Sequence, residues 1–458
     1  MTARTVPADA NELAQQSRLA SLDLQSATLA QKSAALHRIH ALLAERKDQI
    51  LEANKKDLEI AQKDVESGKI SSALYKRLDL STGDKYSVLL QGVLDVDKLD
   101  DPTGQVSLAT RLDTGLDLYR VSCPVGVLLI IFEARPEVVV QISCLALKSG
   151  NAVILKGGKE ASHSNQALFQ VIKEALASLP AGGSQIPPTA VQLVSSRDEI
   201  ATLLALDKYI DLVIPRGSKQ LVQYVQGATR IPVLGHADGL CSLYLDASAD
   251  VSKAIPIVVD SKCSYPAACN AAETLLIHKD ALPIFRDIAA ALGKNGVQLH
   301  CDPRSLAALG DADVACSEAN PEADYDNEFL DLVLAVKTVD SLEDAISHIN
   351  AHGSHHTDVI VTEDKEHADL FMRKVDAAGV YWNASSRFAD GFRYGFGAEI
   401  GVSTNKTHAR GPVGLEGLVI YKYRLYGSGH ASADYGDGKK PYLHHPIAPD
   451  SAPHRFIN

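Results

Sequence analysis

Apolar residues recur at spacings of three, four and seven between Asn11 and about Asp64, with Leu36, Ile39, Leu43 and Ile50 on one stripe and Lys, Arg, Glu and Gln between them. That period predicts amphipathic helices whose apolar face covers a sheet. The period then changes. Val106 to Arg120 is turn-rich and alternating, which predicts a β-hairpin with Gly115 near its turn. Val127 to Phe132 is an unbroken apolar run, suited to a strand covered on both faces. Pro136 opens a predicted helix ending near Lys148, with Gly150 just past its end.

Strand and helix alternate from there. Ala152–Leu155, Val191–Val194, Ile210–Ile214 and Ile231–Leu234 read as strands. Leu168, Val171, Ile172, Ala175 and Leu176 form the stripe of one intervening helix, Ser196-x-x-Glu199 reads as the capping box of a second, and Ser218 to Val225 as a third. Repeated βα units predict an α/β fold with a mostly parallel sheet, which takes ligands outside the carboxyl ends of its strands. A second α/β run begins after Asp246 and continues to about Asn383; Leu418 to Tyr426 alternates like a strand. The polar remainder, 428–458, predicts a loosely ordered tail.

The 458 residues suffice for two or three domains, and the net charge of −12 without a dense basic run argues against nucleic acid. Seven unevenly spaced cysteines form neither a disulfide framework nor a paired-CxxC metal site, so reduced thiols, a cytoplasmic location and no metal are expected. The N-terminus lacks the apolar core of a secretory signal, and no apolar run reaches membrane-spanning length.

The candidate chemistry centres on Ser261 to Ile277. Cys269 lies between alanines that leave space around its sulfur, which suits a nucleophile; a small buried hydrophobe would look the same. The pattern Pro266-x-x-Cys269-Asn270-x-x-Glu273-Thr274, ahead of the apolar run Leu275–Ile277, resembles the nucleophile segment of the γ-glutamyl phosphate reductases, a branch of the aldehyde dehydrogenase superfamily. The resemblance spans about Ala41 to Tyr426; Cys263, six residues before Cys269, is the rival nucleophile and reads as a packed or bystander thiol.

That resemblance implies an aldehyde dehydrogenase-like architecture. An NADP-binding domain would comprise 1–104, 124–246 and 385–412, and a catalytic domain 247–384. A β-hairpin oligomerisation arm (105–123 and 413–427) and the tail (428–458) would complete it. It also implies cofactor binding without a GxGxxG fingerprint. Arg135 and Lys156 would follow the first two strands of the cofactor domain, with Lys156 on the adenosine ribose. Arg216-Gly217-Ser218 would meet the cofactor phosphates at a helix start, and Glu328 would anchor the nicotinamide ribose. NAD-preferring relatives carry an acidic residue at position 159, whereas Lys159 would attract a 2′-phosphate, so NADPH is expected. Alone, Lys159-Glu160 also reads as a polar helical turn, Gly217 as a tight turn and Glu328 as a solvated carboxylate.

Two departures from hydrolytic relatives stand out. By that resemblance, Val233 stands at the position of their water-activating carboxylate, and Ala134 at that of their oxyanion-binding asparagine. Thioester hydrolysis should then be poor, with Asn270 or backbone N–H groups near Cys269 holding the oxyanion. The implied reaction is attack of Cys269 on L-glutamyl 5-phosphate, loss of phosphate and reduction of the thioester to L-glutamate 5-semialdehyde, a step of proline synthesis. His408 and Arg410 are the expected anion site, which would otherwise read as a surface loop, with Arg387 a second choice. Glu273, four residues beyond Cys269 on a supposed helix, would orient substrate or serve structure. A homo-oligomer and transient contact with a separate glutamate 5-kinase are the expected partnerships. The competing readings are a hydrolytic, NAD-preferring aldehyde dehydrogenase and a non-catalytic protein on the same scaffold.

Overall fold

In this computed structural model, which describes residues 10–179, 186–194 and 198–451, the N-terminal pattern resolves into α1 (Ala10–Leu24), α2 (Leu29–Glu45), α3 (Lys47–Glu66), α4 (Ser72–Leu78) and α5 (Lys85–Lys98). Thr28 and Gln31 form a reciprocal capping box that starts α2, whose Ala35, Leu36, Ile39, Leu42 and Leu43 are buried. The hairpin follows as β1 (Val106–Asp113) and β2 (Leu116–Pro124), turning at Gly115 with a φ of 75° that an L side chain rarely adopts.

The βα units are β3 (Val127–Phe132), α6 (Val138–Lys148), β4 (Ala152–Lys156), α7 (Ser162–Ala177), β5 (Val191–Val194), α8 (Asp198–Leu204), β6 (Leu212–Arg216) and α9 (Lys219–Ala228). Every residue of β3 and β4 is buried, as expected of strands covered on both faces. The parallel sheet runs β5-β4-β3-β6, so the order reverses between β3 and β6, the kind of switch point that opens a ligand crevice. Ile231–Leu234, expected as a strand, contributes only a bridge from Val233 to Val213. Pro232 supplies no N–H for a regular ladder there. The capping-box serine, Ser196, lies outside the described residues.

The second unit alternates β7 (Cys241–Leu245), α10 (Val251–Cys263), β8 (Ala272–His278), α11 (Leu282–Lys294), β9 (Gln298–Cys301), α12 (Pro303–Leu309), β10 (Cys316–Glu318), β11 (Val333–Val339), α13 (Leu342–His352), β12 (Thr357–Val361), α14 (Lys365–Lys374) and β13 (Gly379–Trp382). Its seven strands are parallel in the order β10-β9-β11-β8-β7-β12-β13. Leu243, Leu275, Phe285, Leu299, Leu334 and Val359 belong to the core on one side of it.

Two short strands follow, β14 (Gly401–Ser403) and β15 (Gly411–Val413), then β16 (Val419–Tyr426) and β17 (His445–Pro446). β16 and β17 join the hairpin in an antiparallel sheet ordered β16-β2-β1-β17. The expected loose tail is therefore corrected for residues 428–451. β17 pairs with β1, and Tyr435, 8% exposed, donates its hydroxyl to Asp113 at 2.8 Å.

The compact units also divide differently from the expected domains. One comprises 1–234, 397–401 and 413–458, and the other 235–396 and 402–412. Residues 235–246 belong to the second unit because they lead into and form β7, an interior strand of its sheet. Most of 385–412 joins that unit as well, where Ser385 and Ser386 bond Ser261 of α10. The arm strands belong to the first unit.

Candidate active site

Cys269 sits in a turn between α10 and β8, not on a helix, and is partly exposed. The loop that carries it is closed at its base by Lys262, near the end of α10, and Glu273, the second residue of β8. Their side chains are 0% and 1% exposed and meet at 2.8 Å. Burial is the main influence on both partners: it depresses the Lys262 ammonium and raises the Glu273 carboxyl to about 7, each partly offset by the other charge. The other carboxylate oxygen of Glu273 accepts from Leu330 N at 3.3 Å. The helical placement of Glu273 is thus corrected, and its oxygens are engaged by the protein itself.

Asn270 is also anchored. Its side-chain amide nitrogen donates to the Ala389 carbonyl at 2.8 Å, and its backbone carbonyl accepts from Ser386 Oγ at 2.6 Å. This side chain, 5% exposed, holds the turn in position. Cys241 donates its thiol to the Cys269 carbonyl at 3.4 Å. Gly239 presses against the same peptide so closely that an added Cβ would lie 2.0 Å from the Cys269 oxygen, so only glycine fits. Glu328 accepts from Gly239 N at 3.0 Å.

Two histidines that the sequence reading missed flank the sulfur. A ring nitrogen of His236, one of His356 and the sulfur of Cys269 all lie within 4.8 Å of one another. The topology explains the grouping. His236, Cys269 and His356 each precede a strand, β7, β8 and β12 respectively, and these three are adjacent in the order β8-β7-β12. Their amino ends are in register, with Cys241 opposite Ala272 and Leu243 opposite Val359. His236 Nδ1 lies 3.1 Å from the Val402 carbonyl, which can only accept, so Nδ1 is the donor of this bond. His356 Nδ1 is 2.9 Å from Thr357 Oγ1, and its Nε2 is buried without a hydrogen-bond partner. The only sequence signal was glycine near each histidine, in Gly235-His236 and Gly353-Ser-His355-His356.

The expected anion residues fare unequally. Arg410 and Lys406 are both paired with Asp376, Arg410 at 3.0 Å, and His408 is exposed at a positive φ of 72°. Arg387, the second choice, donates Nε to Ser264 Oγ at 3.0 Å and lies over the Tyr265 ring. Burial and the neighbouring Arg393 depress it, while Asp260, Cys269 and Asp390 act in the opposite sense. Arg387 therefore supplies a cation near Cys269, and Arg393, whose guanidinium donates to the Arg387 carbonyl, stands beside it. Cys263, at the end of α10, packs against the core, and burial raises its thiol.

In the first unit, register sets Lys156 beside Ile131 and Arg216 beside Phe132, at the carboxyl ends of three adjacent strands. Arg135 and Lys159 are exposed nearby in sequence, after β3 and β4. Both Arg135 and Arg216 act on Glu137, whose carboxyl is raised by burial. Ser218 caps α9, accepting from Leu221 N at 3.4 Å. The Ser218 N–H is not open: it donates to Glu133 Oε2 at 3.0 Å, and that carboxylate would clash with any Cβ at Gly217. A carboxylate thus stands where a cofactor phosphate was expected. The surrounding cations suit a polyanionic dinucleotide, whose phosphate could replace Glu133 as the acceptor.

A parallel α/β sheet with cations at its switch point, and a separate sheet carrying a partly exposed cysteine, define the class. The Aldehyde dehydrogenase family model matches residues 2–298. The chain is 53% identical to a probable γ-glutamyl phosphate reductase of Schizosaccharomyces pombe over 433 residues, covering 93% of this chain and 95% of that one. It is 47% identical to the γ-glutamyl phosphate reductase of Saccharomyces cerevisiae, covering 94% and 97%. The crystal structure of γ-glutamyl phosphate reductase from Thermotoga maritima superposes with a TM-score of 0.85 at 38% identity, covering 92% of this chain and 99% of that one. The chain belongs to the aldehyde dehydrogenase family and, within it, to the γ-glutamyl phosphate reductases. Among the described residues, no helix is long and apolar enough to cross a membrane.

Proposed function

We propose that this chain reduces L-glutamyl 5-phosphate to L-glutamate 5-semialdehyde and phosphate with NADPH, in proline synthesis, through a thioester on Cys269. The observation that carries the reading is a partly exposed cysteine, held on a clamped turn beside two imidazoles, in a member of this family. The sulfur attacks the acyl carbon, the bond to the phosphate oxygen breaks, and inorganic phosphate leaves. A ring nitrogen of His236 or His356, within 4.8 Å of the sulfur, would receive the thiol proton after side-chain rotation or through one bridging water. Backbone N–H groups of the turn, or the second N–H of the Asn270 amide, whose first is bonded to Ala389, serve the oxyanion. Arg387 and Arg393 hold the anionic end of the substrate.

NADPH, when bound, supplies the hydride that reduces the thioester. Lys159 would hold its 2′-phosphate and Lys156 its ribose, and Arg135, Arg216 and Ser218 would serve the phosphates in place of Glu133. Val233 offers no base for water, so the acyl group waits for hydride or, in reverse, for phosphate. The free thiols fit a reducing cytoplasm. β16 is a sheet edge exposing Ile420, Tyr421, Tyr423 and Leu425, which suits pairing with a second copy in a homo-oligomer. A separate glutamate 5-kinase supplies the acyl phosphate.

The test is reduction of NADP by glutamate semialdehyde with and without phosphate or arsenate, compared with NAD. The proposal expects strict dependence on the oxyanion and preference for NADP. Acid formation without it would favour the hydrolytic reading.

A further inference from the structure

The two histidines and the cysteine form a donor set that reduction of an acyl phosphate does not by itself require. Thiolate sulfur with two imidazoles is the ligand chemistry of zinc and related thiophilic divalent cations. Each imidazole has Nδ1 engaged outside the group, His236 on the Val402 carbonyl and His356 on Thr357 Oγ1, which orients Nε2 as the remaining ligand atom. The His356 Nε2 is an independent sign. It is buried without a partner on a residue only 1% exposed, a cost the fold carries unless something binds there. The donors of a tetrahedral zinc ion lie about 3.5 Å apart, given bonds of about 2.0–2.3 Å. Side-chain rotation of the three groups, now within 4.8 Å of one another, closes that difference.

We propose that His236, Cys269 and His356 form a reversible inhibitory site for a zinc-class divalent cation. As the ion binds, a metal–sulfur bond forms, the thiol proton passes to buffer, and the two Nε2 lone pairs complete three ligands with water in the fourth position. No electron is transferred. The sulfur lone pair needed to attack an acyl carbon is then held by the metal. Inhibition rests on Cys269 being the nucleophile, whereas binding does not.

Cobalt(II) is the probe, added to chelator-treated full-length protein. A sulfur-to-cobalt charge-transfer band and strong tetrahedral visible bands are expected. Cys269→Ser should abolish the charge-transfer band, and Cys263→Ser should leave it intact. His236→Asn and His356→Asn should each weaken cobalt binding at least about tenfold, the low end of what losing even an outer-shell partner costs. Far-UV circular dichroism and NADP binding establish that each variant is folded. Zinc should also slow alkylation of Cys269 by iodoacetamide, reversibly on addition of chelator. Absence of a charge-transfer band in the parent protein, or its persistence in Cys269→Ser, overturns the proposal. These readouts need no turnover, so they stand or fall separately from the phosphate-dependence assay.

Discussion

Lys262 and Glu273 form a fully buried ion pair, 2.8 Å apart, that closes the loop holding Cys269 between α10 and β8. Two ions removed from water repay their desolvation only while both are present, so losing one partner costs more than losing both. Glu273→Gln should lower stability by about 3–5 kcal/mol. Lys262→Met combined with Glu273→Leu should recover most of that loss. Denaturant unfolding of the three proteins measures both effects, and equal stability of the single and double variants would contradict the clamp.

Cys269→Ser should reduce turnover in both directions at least roughly a thousandfold, as loss of a covalent nucleophile does, with the fold retained. Cys263→Ser should leave turnover near the parent value, because that thiol packs against the core at the end of α10. Steady-state rates with circular dichroism as the folding control decide between the two sulfurs.

Lys159→Glu should raise KM for NADP and leave that for NAD little changed. A hydrogen bond to a charged group contributes about 1.5–3 kcal/mol, or roughly 10- to 100-fold in affinity. A proportional loss for both cofactors would assign Lys159 to the helix turn rather than to the 2′-phosphate.

Under the proposed reading, in which Val233 stands where hydrolytic enzymes carry a water-activating carboxylate, Val233→Glu would supply that base. Acid formation from semialdehyde should then appear without phosphate, followed as phosphate-independent reduction of NADP. If the variant stays folded yet remains strictly phosphate-dependent, the apolar side chain is not what protects the thioester.

Asp358, buried on β12 and accepting from Ser242 N at 2.8 Å, has its carboxyl raised by burial from 3.8 to about 7. The native state therefore keeps a proton that the unfolded chain loses near pH 4. The stability from this group is fully present below that pH and declines as pH rises through about 7. Asp358→Asn keeps the acceptor but cannot ionise, so its melting temperature should fall less between pH 4 and 7 than that of the parent.

Much of this protein was legible in one dimension. Local periodicity located the N-terminal helices, the Gly115 hairpin and the buried strands β3 and β4, because their burial patterns repeat within a few residues. The composition of the Ser261 to Ile277 segment singled out Cys269. The sequence reading failed where the deciding contact is distant. Glu273 looked like a helical neighbour of Cys269, but β8 pairs with β7 and β11 and takes it into a strand. The tail looked unstructured because its fixing contacts, β17 with β1 and Tyr435 with Asp113, join segments far apart in the chain, 322 residues in the case of the tyrosine.

What the sequence alone determined is therefore the alternation of elements and the segment that carries Cys269, since both follow from side chains near each other along the backbone. Only the tertiary structure decided what surrounds that sulfur. His236 and His356 are remote in the chain and reach Cys269 because β7, β8 and β12 lie side by side with their amino ends in register. Strand order depends on which apolar faces can be buried together, and no local pattern encodes it.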